Sequence, residues 1–373
     1  MTISVKTYSN GEVFTGDDLN AHLTTMVNEI NRLAAIHTEN QKSRNLIING
    51  DFSVWQRGIS QTSSGYGSDD RGFNINSGST KVHTQQTFTL GQTDVPNNPK
   101  YYSRTVVTSV ANAANFVIKD HHIEGVHKTS GKTVTISFWA KADAAKNIAV
   151  ELTQNFGSGG SPSSAVNGIG VSTIALTTSW ALQTISVAMP SITGKTLGTN
   201  GDDSQGLLFW MDAGSNADAR TNSLGQQSGT FDISNLQLEI AAAATDFEYI
   251  NEADQLARCL RYCFVVGDNN TSTSKAHGSG FAASTTVANI SIPHPVLMRA
   301  EPTVTFSPTL SQFLLSDGAA GTVPTAMAGR SAGSSPETTE LDITVASGLT
   351  QFRPYRLEAA TSILGRIYID AEL

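Results

Sequence analysis

The sequence is poor in charge and in cysteine, and each shortage excludes a class of protein. Only 15% of its 373 residues are charged and the net charge is −8, whereas about a quarter is usual in globular domains. This composition gives no support to nucleic-acid binding, which needs a basic surface. The two cysteines, Cys259 and Cys263, are too few for a disulfide framework or a zinc pattern. We interpret them as free thiols; a C-x3-C metal or redox site is the alternative, and nothing else supports it.

Long apolar runs and linear catalytic motifs are also absent. No apolar run reaches transmembrane length, and the N-terminus MTISVKTYSNGEVF lacks the apolar core of a secretory signal. We therefore expect synthesis in the cytoplasm without a signal peptide. No G-x-S-x-G, H-E-x-x-H, P-loop or dinucleotide motif occurs. The adjacent His121 and His122 would point to opposite faces of a strand, which is poor geometry for one metal. The sequence predicts no enzyme and no cofactor.

The first 44 residues combine a short polar segment with a predicted amphipathic helix. Thr15 and Asp18 form a capping-box pattern at its start. The apolar residues that follow have the 4, 3, 4, 3 spacing of a coiled-coil seam: Leu19, Leu23, Met26, Ile30 and Leu33. We predict self-association, because the polar residues 37–44 separate this helix from any core. Packing on its own domain is the alternative, and the seam does not decide between two and three strands.

Residues 45–250 predict an all-β sandwich. Short β-rich runs alternate with clusters of turn-forming residues, and no helical period appears. An apolar face that switches parity near Ser234 and Asn235 predicts a bulge. The predicted strands are Leu46–Ile48, Val82–Leu90, Tyr101–Val110, Phe116–Lys119, Thr133–Ala140, Ile148–Gln154, Gly170–Leu176, Ala181–Met189, Gly206–Asp212 and Gly229–Ile240.

Beyond residue 250 the pattern changes to a short helix and a second β region. Asn251 is the predicted N-cap of a connector helix over residues 251–263, which would hold both cysteines. Gly318–Pro336 is rich in Gly, Ala and Ser, and we expect an exposed loop there. The predicted strands of this region are Val287–Ile292, Pro302–Ser307, Leu341–Val345 and Arg366–Leu373.

Several segments carry a family resemblance. They are NLIINGDFSVWQRG, GKTVTISFWAKAD, SWALQTISVAMP and FDISNLQLEIAAAATDFEYI, beginning at Asn45, Gly131, Ser179 and Phe231. In this order they resemble the jelly-roll domain of phage tail-fibre and receptor-binding proteins, which is similar to family 4/9-type carbohydrate-binding modules. IPHPVLMRAEPTVTFS and the final IYIDAEL resemble the tips of such fibres. Where these fibres often have Asp-Arg-Trp, this chain has Asp70-Arg71-Gly72-Phe73, so Phe73 would have to replace the aromatic residue.

The resemblance implies a mainly β fold with four parts. These are a virion-docking segment and α-helical coiled-coil stem (1–44), a jelly-roll β-sandwich (45–250), a short connector helix (251–263) and a second β-sandwich-like tip domain (264–373). It further implies a homotrimeric bacteriophage tail fibre, located in the virion, that attaches to host-surface polysaccharide or lipopolysaccharide. Its N-terminus would bind another virion protein of the tail or a vertex, and it would bind no nucleic acid and insert into no membrane. The alternatives are a structural or decoration fibre without a ligand and a glycan-degrading tailspike.

Aromatic residues are the candidates for sugar contact, because their faces stack on sugar C–H surfaces. We predict glycan contact for four of them, with core or interface packing as the alternative for each: Phe73, Tyr101, Tyr102 and Trp210. For Trp55 we expect instead contact with a neighbouring subunit or with the opening sheet. Asp51 and Asp232 are expected in the neighbouring first and last strands of the jelly roll, where a structural calcium is an alternative to simple turn capping.

Overall fold

A computed structural model describes residues 23–28, 44–267, 276–360 and 365–373. The chain divides into two compact units, residues 1–44 and 45–373. Within the described ranges, no helix has the length and apolar content needed to span a membrane.

In the first unit, residues 23–28 are helical and all six are exposed. Leu23 is 48% exposed and Met26 is 60% exposed, so both lie on a helix without covering a core. The other positions of the predicted seam, Leu19, Ile30 and Leu33, lie outside the described residues. The coiled coil therefore remains a prediction.

The second unit begins with a jelly-roll β-sandwich of two antiparallel sheets. Its strands are β1 (Ser60–Gln61), β2 (Gly65–Tyr66), β3 (Gly72–Ser77), β4 (Thr80–Thr87), β5 (Tyr101–Thr108), β6 (Phe116–Glu124), β7 (Thr133–Ala142), β8 (Lys146–Asn155), β9 (Val166–Leu176), β10 (Ala181–Ala188), β11 (Ser204–Ala213) and β12 (Gly229–Glu239). Sheet A has the order β1-β4-β5-β12-β7-β10, and sheet B has the order β2-β3-β6-β11-β8-β9. The long predicted strands are thus confirmed with shifted ends, and β3 is one that the pattern missed.

Alternation along the strands builds the core between the two sheets. In β7, Val134, Ile136 and Phe138 are almost fully buried and face sheet B. Phe138 meets Phe209 of β11 edge to face, with ring centroids 5.1 Å apart. Burial of each such side chain contributes about 1.5–3 kcal/mol. Side chains of the opposite parity, such as Ser137 and Trp139, therefore lie on the outer face of sheet A.

The predicted bulge in β12 is confirmed. The pairing of β12 with β7 shifts between Ser234 and Gln237. Asn235 has a φ of 48°, a left-handed conformation that asparagine tolerates better than most residues. The extra residue returns Leu236 and Leu238 to the buried face.

The opening stretch, residues 45–58, is not the regular strand that its apolar run predicts. It is an irregular extended segment beside β12, bonded through Leu46 N to Leu238 O at 2.8 Å and through Leu236 N to Gly50 O at 2.7 Å. A Cβ added at Gly50 would lie 2.0 Å from Leu236 O, so only glycine permits this close approach. Positive φ at Asn49 and Phe52 breaks the strand geometry on either side.

A connector helix, Glu252–Leu260, follows the jelly roll. Asn251 is its N-cap as predicted, because its side chain accepts a hydrogen bond from Asp254 N at 3.0 Å. Cys259 lies in the helix, but Cys263 begins the next strand rather than extending the helical stripe. Both cysteines are buried free thiols, as predicted from the sequence.

Two further antiparallel sheets complete the second unit. Their strands are β13 (Cys263–Val266), β14 (Ala276–Ala282), β15 (Val287–Pro293), β16 (Thr303–Phe306), β17 (Phe313–Ser316), β18 (Gly321–Thr322), β19 (Ala326–Ser335), β20 (Thr338–Thr344), β21 (Pro354–Ala359) and β22 (Ile367–Asp370). The small sheet runs β13-β22-β16, and the large sheet runs β18-β17-β21-β14-β15-β20-β19. A separate hydrophobic core lies between them. The loop predicted over Gly318–Pro336 is wrong, because most of it forms the edge strands β18 and β19.

Candidate functional site

Aromatic and charged side chains gather on the outer face of sheet A. Tyr102 and Arg104 alternate along β5 with the buried Ser103 and Thr105, so they point away from the core. The same parity rule places Asp232 of β12 and Lys141 of β7 on this face. Two rings from the strand ends join them. We call the group the outer-face patch: Phe88, Tyr102, Arg104, Lys141, Trp180 and Asp232.

Three rings of the patch pack against one another. Phe88 lies 4.7 Å from Tyr102 and 5.3 Å from Trp180, measured between ring centroids. Tyr102 meets Trp180 edge to face at 5.3 Å with an interplanar angle of 85°. All three side chains are half-buried. Because their mutual contacts hold the rings in place, the patch presents a rigid aromatic surface.

A charged cluster borders these rings. Arg104 Nε and Nη2 donate to the two carboxylate oxygens of Asp232 at 2.7 and 2.8 Å. Lys141 Nζ lies 3.9 Å from the same carboxylate and 5.2 Å from the centroid of the Trp180 ring. Donation to the Asp232 carboxylate raises the pKa of Arg104, and burial raises the pKa of Tyr102. The charged groups are thus fixed beside the rings rather than free in solvent.

Apolar side chains on the outer strands of this face are exposed, whereas Thr135, Ser137 and Gln237 of its central strands are buried. Val82, Val106 and Leu182 belong to β4, β5 and β10 and are each 38–51% exposed. Exposed apolar side chains on the same face as the half-buried rings add apolar area to this surface. Rings for stacking, next to amino and guanidinium donors for hydroxyl oxygens, suit a polysaccharide chain laid across the strands.

The four predicted glycan residues do not form one site. Tyr102 is the member that lies in the outer-face patch. Tyr101, on the opposite side of β5, lines a groove of about 330 Å³ together with Trp55 and Glu252. In that groove Trp55 donates its indole N–H to Phe52 O at 2.6 Å and stacks on His83 at 5.6 Å.

Trp210 offers no open ring face for a sugar. It lies on the outer face of sheet B but is only 3% exposed, because residues 215–224 cover it and contribute Ala217 and Leu224 to a small apolar cluster. Its indole N–H donates to the buried Glu151 at 3.0 Å. Arg220 stacks on its ring at 5.0 Å and is bonded to the same carboxylate. Trp210 therefore packs the outer side of sheet B.

Phe73 lies where the jelly roll meets the β13–β22–β16 sheet. It stacks on His122 at 5.6 Å and meets Tyr66 edge to face at 4.8 Å. The neighbouring Arg71 is fully buried in a left-handed conformation, with its guanidinium 3.6 Å from the centroid of the Tyr262 ring. It also donates to His122 O at 2.6 Å and pairs with Glu372. The Asp-Arg-Gly-Phe segment thus joins the two β regions.

The predicted calcium pair gains no support. Both carboxylate oxygens of Asp232 accept from Arg104, and Asp51 accepts instead from Ser53 in its own turn. Among the residues that the structure describes, no group of three or more His, Cys, Asp or Glu is placed to hold a metal ion. Asp232 has a different role, because it anchors the charged cluster of the outer-face patch.

Phe88 and Trp180 are the rings of the patch that the sequence prediction missed, and its two cations, Arg104 and Lys141, were not predicted either. Each of the two rings lies one residue outside a strand, Phe88 after β4 and Trp180 before β10. Extending the parity of the strand by one residue would have placed Trp180 on the side of Leu182, which is the outer face. What the sequence does not reveal is that β5 brings Tyr102 between these two strand ends.

Comparison with known proteins gives a weak likeness in fold. No family model and no curated protein matches the chain. A family 4 carbohydrate-binding module is 17% identical, with 52% of this chain and 99% of that chain covered and a TM-score of 0.30. A family 11 module from Clostridium thermocellum, solved with a mixed-linked tetrasaccharide, is 14% identical over 50% of this chain and 98% of its own, with a TM-score of 0.28. The enzymatically active domain of bacteriophage CBA120 tailspike protein 4 is 12% identical over 53% of this chain and 22% of its own, with a TM-score of 0.31. TM-scores of this size support no conclusion about function. The function has to be argued from the side chains of this protein.

Proposed function

We propose that this protein binds polysaccharide through the outer-face patch and serves as a virion fibre that attaches a bacteriophage to its host. The observation that carries the binding part is the ring trio of Phe88, Tyr102 and Trp180 beside the Arg104–Asp232 pair. The resemblance of the segments beginning at Asn45, Gly131, Ser179 and Phe231 to phage fibres supports the biological setting. Binding rather than cleavage is proposed, because the only carboxylate of the patch is fully engaged by Arg104.

Attachment by such a patch would be weak for one chain and strong for several. The half-exposed rings offer room for only a few sugar units, which limits the affinity of a single site. The proposed homotrimer would display three patches to one surface, and simultaneous engagement raises the effective affinity without any new contact. Leu23 and Met26, exposed on their helix, support self-association through the predicted stem.

A glycan array carrying host envelope polysaccharides tests this function. The full-length protein and its Tyr102→Ala variant are compared, with Tyr249→Ala as the matched control because Tyr249 is 59% exposed and lies outside the patch. We expect retention of the wild type and of Tyr249→Ala on at least one polysaccharide, and loss of Tyr102→Ala. Failure of the wild type to bind any envelope polysaccharide would contradict attachment and favour a decoration fibre. Shortened polysaccharide chains after incubation would favour a tailspike.

A further inference from the structure

A second cavity lies between the jelly roll and the small sheet of the C-terminal region. It has a volume of about 280 Å³, and none of its lining residues belongs to the outer-face patch. Its walls come from both β regions: Arg57, Tyr66, Gly67, Thr305, Tyr368 and Asp370.

The two walls of the cavity are tied together by polar contacts. Arg57 Nη2 donates to Asp370 at 2.8 Å and to Glu372 at 3.1 Å. Beside it, Gln56 Nε2 donates to Cys263 O of β13 at 2.8 Å. A cavity held by such cross-links keeps its shape before a ligand arrives, so little ordering is needed on binding.

The charges around the cavity favour a neutral ligand. The Arg57 guanidinium is already paired with two carboxylates, so it offers little net attraction to an anion. Its Nη1 is buried and has no hydrogen-bond partner among the described residues, and such an orphan donor costs about 1–3 kcal/mol. The Asp370 side chain remains 31% exposed and has acceptor capacity left. A hydroxyl group can accept from a guanidinium and donate to a carboxylate at the same time.

Two tyrosines supply the apolar part of the lining. The Tyr66 hydroxyl is engaged with His122 Nδ1 at 3.1 Å and with Leu373 O at 3.3 Å. Tyr66 lines the cavity, and the Arg57 guanidinium lies 5.5 Å from the centroid of its ring. Burial raises the pKa of Tyr66 to about 12, so the ring stays uncharged at neutral pH. Tyr368, on the opposite wall, is half-buried on the side of β22 that faces away from the core. Ring faces beside hydroxyl-binding polar groups are the combination that recognises sugars.

We propose that this junction cavity binds one neutral monosaccharide unit, separately from the outer-face patch. One hydroxyl of the sugar would bridge Arg57 and Asp370, and its C–H face would lie against Tyr66 or Tyr368. The volume is just below the range of about 300–1,000 Å³ typical of drug-sized ligands, which suits a single sugar ring rather than a chain. The inference rests on sugar recognition being the role of the protein, but it uses no residue of the patch.

The test is saturation-transfer NMR of the full-length protein with D-glucose, D-galactose, D-mannose and N-acetyl-D-glucosamine, and with inorganic phosphate as the anionic comparison. Thr305→Phe places a ring at the mouth of the cavity without removing a polar partner. Thr309→Phe is the matched control, since Thr309 is also exposed in the same region but does not line the cavity. We expect at least one sugar to bind the wild type and Thr309→Phe, with at least a tenfold weaker affinity for Thr305→Phe.

Further variants separate this site from the patch. Tyr368→Ala should weaken sugar binding and Tyr368→Phe should preserve it, because the ring and not the hydroxyl makes the contact. Trp180→Ala should weaken polysaccharide binding and leave monosaccharide binding unchanged. Unchanged polysaccharide binding in this variant would count against the patch and not against the cavity. Equal affinities of the wild type and Thr305→Phe, binding of phosphate but of none of the sugars, or no binding at all would overturn the inference.

Discussion

A buried polar cluster of His83, Asp69 and Lys119 shows how single residues affect the stability of the jelly roll. His83 Nε2 is 2.8 Å from Asp69 Oδ1, and His83 Nδ1 is 3.0 Å from Thr105 Oγ1. Lys119 pairs with the other oxygen of Asp69. Burial, helped by the nearby Lys119 charge, lowers the pKa of His83 to about 4 against the opposing effect of Asp69. In spite of its burial, Asp69 has a pKa far below its usual range, because the Lys119 charge and the hydrogen bond to His83 favour its ionised form.

The first prediction is a loss of stability in mild acid. His83 remains neutral in the folded state, whereas in the unfolded chain it takes up a proton below about pH 6.5. The unfolded state therefore binds more protons as the pH falls from about 6.5 to 4, and this residue alone lowers the free energy of unfolding by up to about 3 kcal/mol. Asp69 stays ionised in both states through most of this window and contributes little there. Urea unfolding at a series of pH values measures the slope.

His83→Gln is the variant that isolates this contribution. It should be less stable at pH 7.5 but show a shallower decline toward pH 4.5, because the residue that titrates has been removed. His121 and His277, whose pKa values burial also lowers, contribute to the decline that remains. Identical slopes for the wild type and the variant would show that His83 is not held neutral.

The second prediction concerns Gly50. Gly50→Ala forces a methyl group against Leu236 O of β12, and overpacking of this kind costs about 1–3 kcal/mol. Gly329→Ala is the matched control, because a Cβ there meets Val304 at an ordinary 3.4 Å. The midpoint of thermal unfolding should fall for Gly50→Ala and stay near the wild-type value for Gly329→Ala. Equal midpoints would mean that the opening stretch does not hold its close approach to β12.

At the level of elements, the third prediction tests the connector helix. Asn251→Ala removes the side-chain oxygen that accepts from Asp254 N, and loss of such a cap costs about 1 kcal/mol. Asn251→Ser should keep most of the stability, since serine caps helices nearly as well. Denaturant unfolding of both variants measures the difference. An Asn251→Ala variant as stable as the wild type would contradict the assigned cap.

Strand existence was largely predictable from the sequence, because one face of each sheet is buried. In β7 the alternation of Ile136 and Phe138 with Ser137 and Trp139 fixes both the strand and its orientation. The alternation of apolar and polar residues did not predict strands that form through pairing with a neighbouring strand. β19 has few large side chains, so its sequence looked like a loop, yet pairing with β20 makes it a strand.

The candidate site was less predictable than the strands. Alternation along a strand predicts that Tyr102 and Trp210 both point away from the core. Alternation does not predict that residues 215–224 cover Trp210 while the rings around Tyr102 stay half-exposed. Coverage of an outer face is decided by loops distant in sequence, and a single sequence carries no local signal for it. For the same reason the cavity at Arg57 and Asp370, residues 313 positions apart, was not foreseen.

At the level of the whole molecule, the fourth prediction concerns assembly. If residues 19–33 form a three-stranded coiled coil, the full-length protein should have three times the 39.5 kDa mass of one chain in light scattering. Leu23→Asp with Met26→Asp places charge in the seam and should yield monomers. Val27→Asp, equally exposed but outside the seam, should keep the trimer. A monomeric wild type would contradict self-association, and a dimer would contradict the three-fold stem.

Contacts across the joint between the two β regions make residues 45–373 one compact unit. Arg71 packs on Tyr262 and pairs with Glu372, while Arg57 pairs with Asp370 and Glu372. This joint lets the C-terminal sheets and the jelly roll act as one body on the proposed stem. Multivalent attachment benefits from such rigidity, because the sites then keep a fixed spacing.

The most direct test of the central claim is an equilibrium titration of the full-length protein with the envelope polysaccharide that it retains on the array. The wild type, Trp180→Ala and the control Tyr249→Ala are measured side by side. The account predicts that Trp180→Ala binds at least tenfold more weakly, a loss of about 1.4 kcal/mol or more, while Tyr249→Ala matches the wild type. Equal affinity of the wild type and Trp180→Ala would contradict the claim that the outer face of sheet A is the glycan-binding surface.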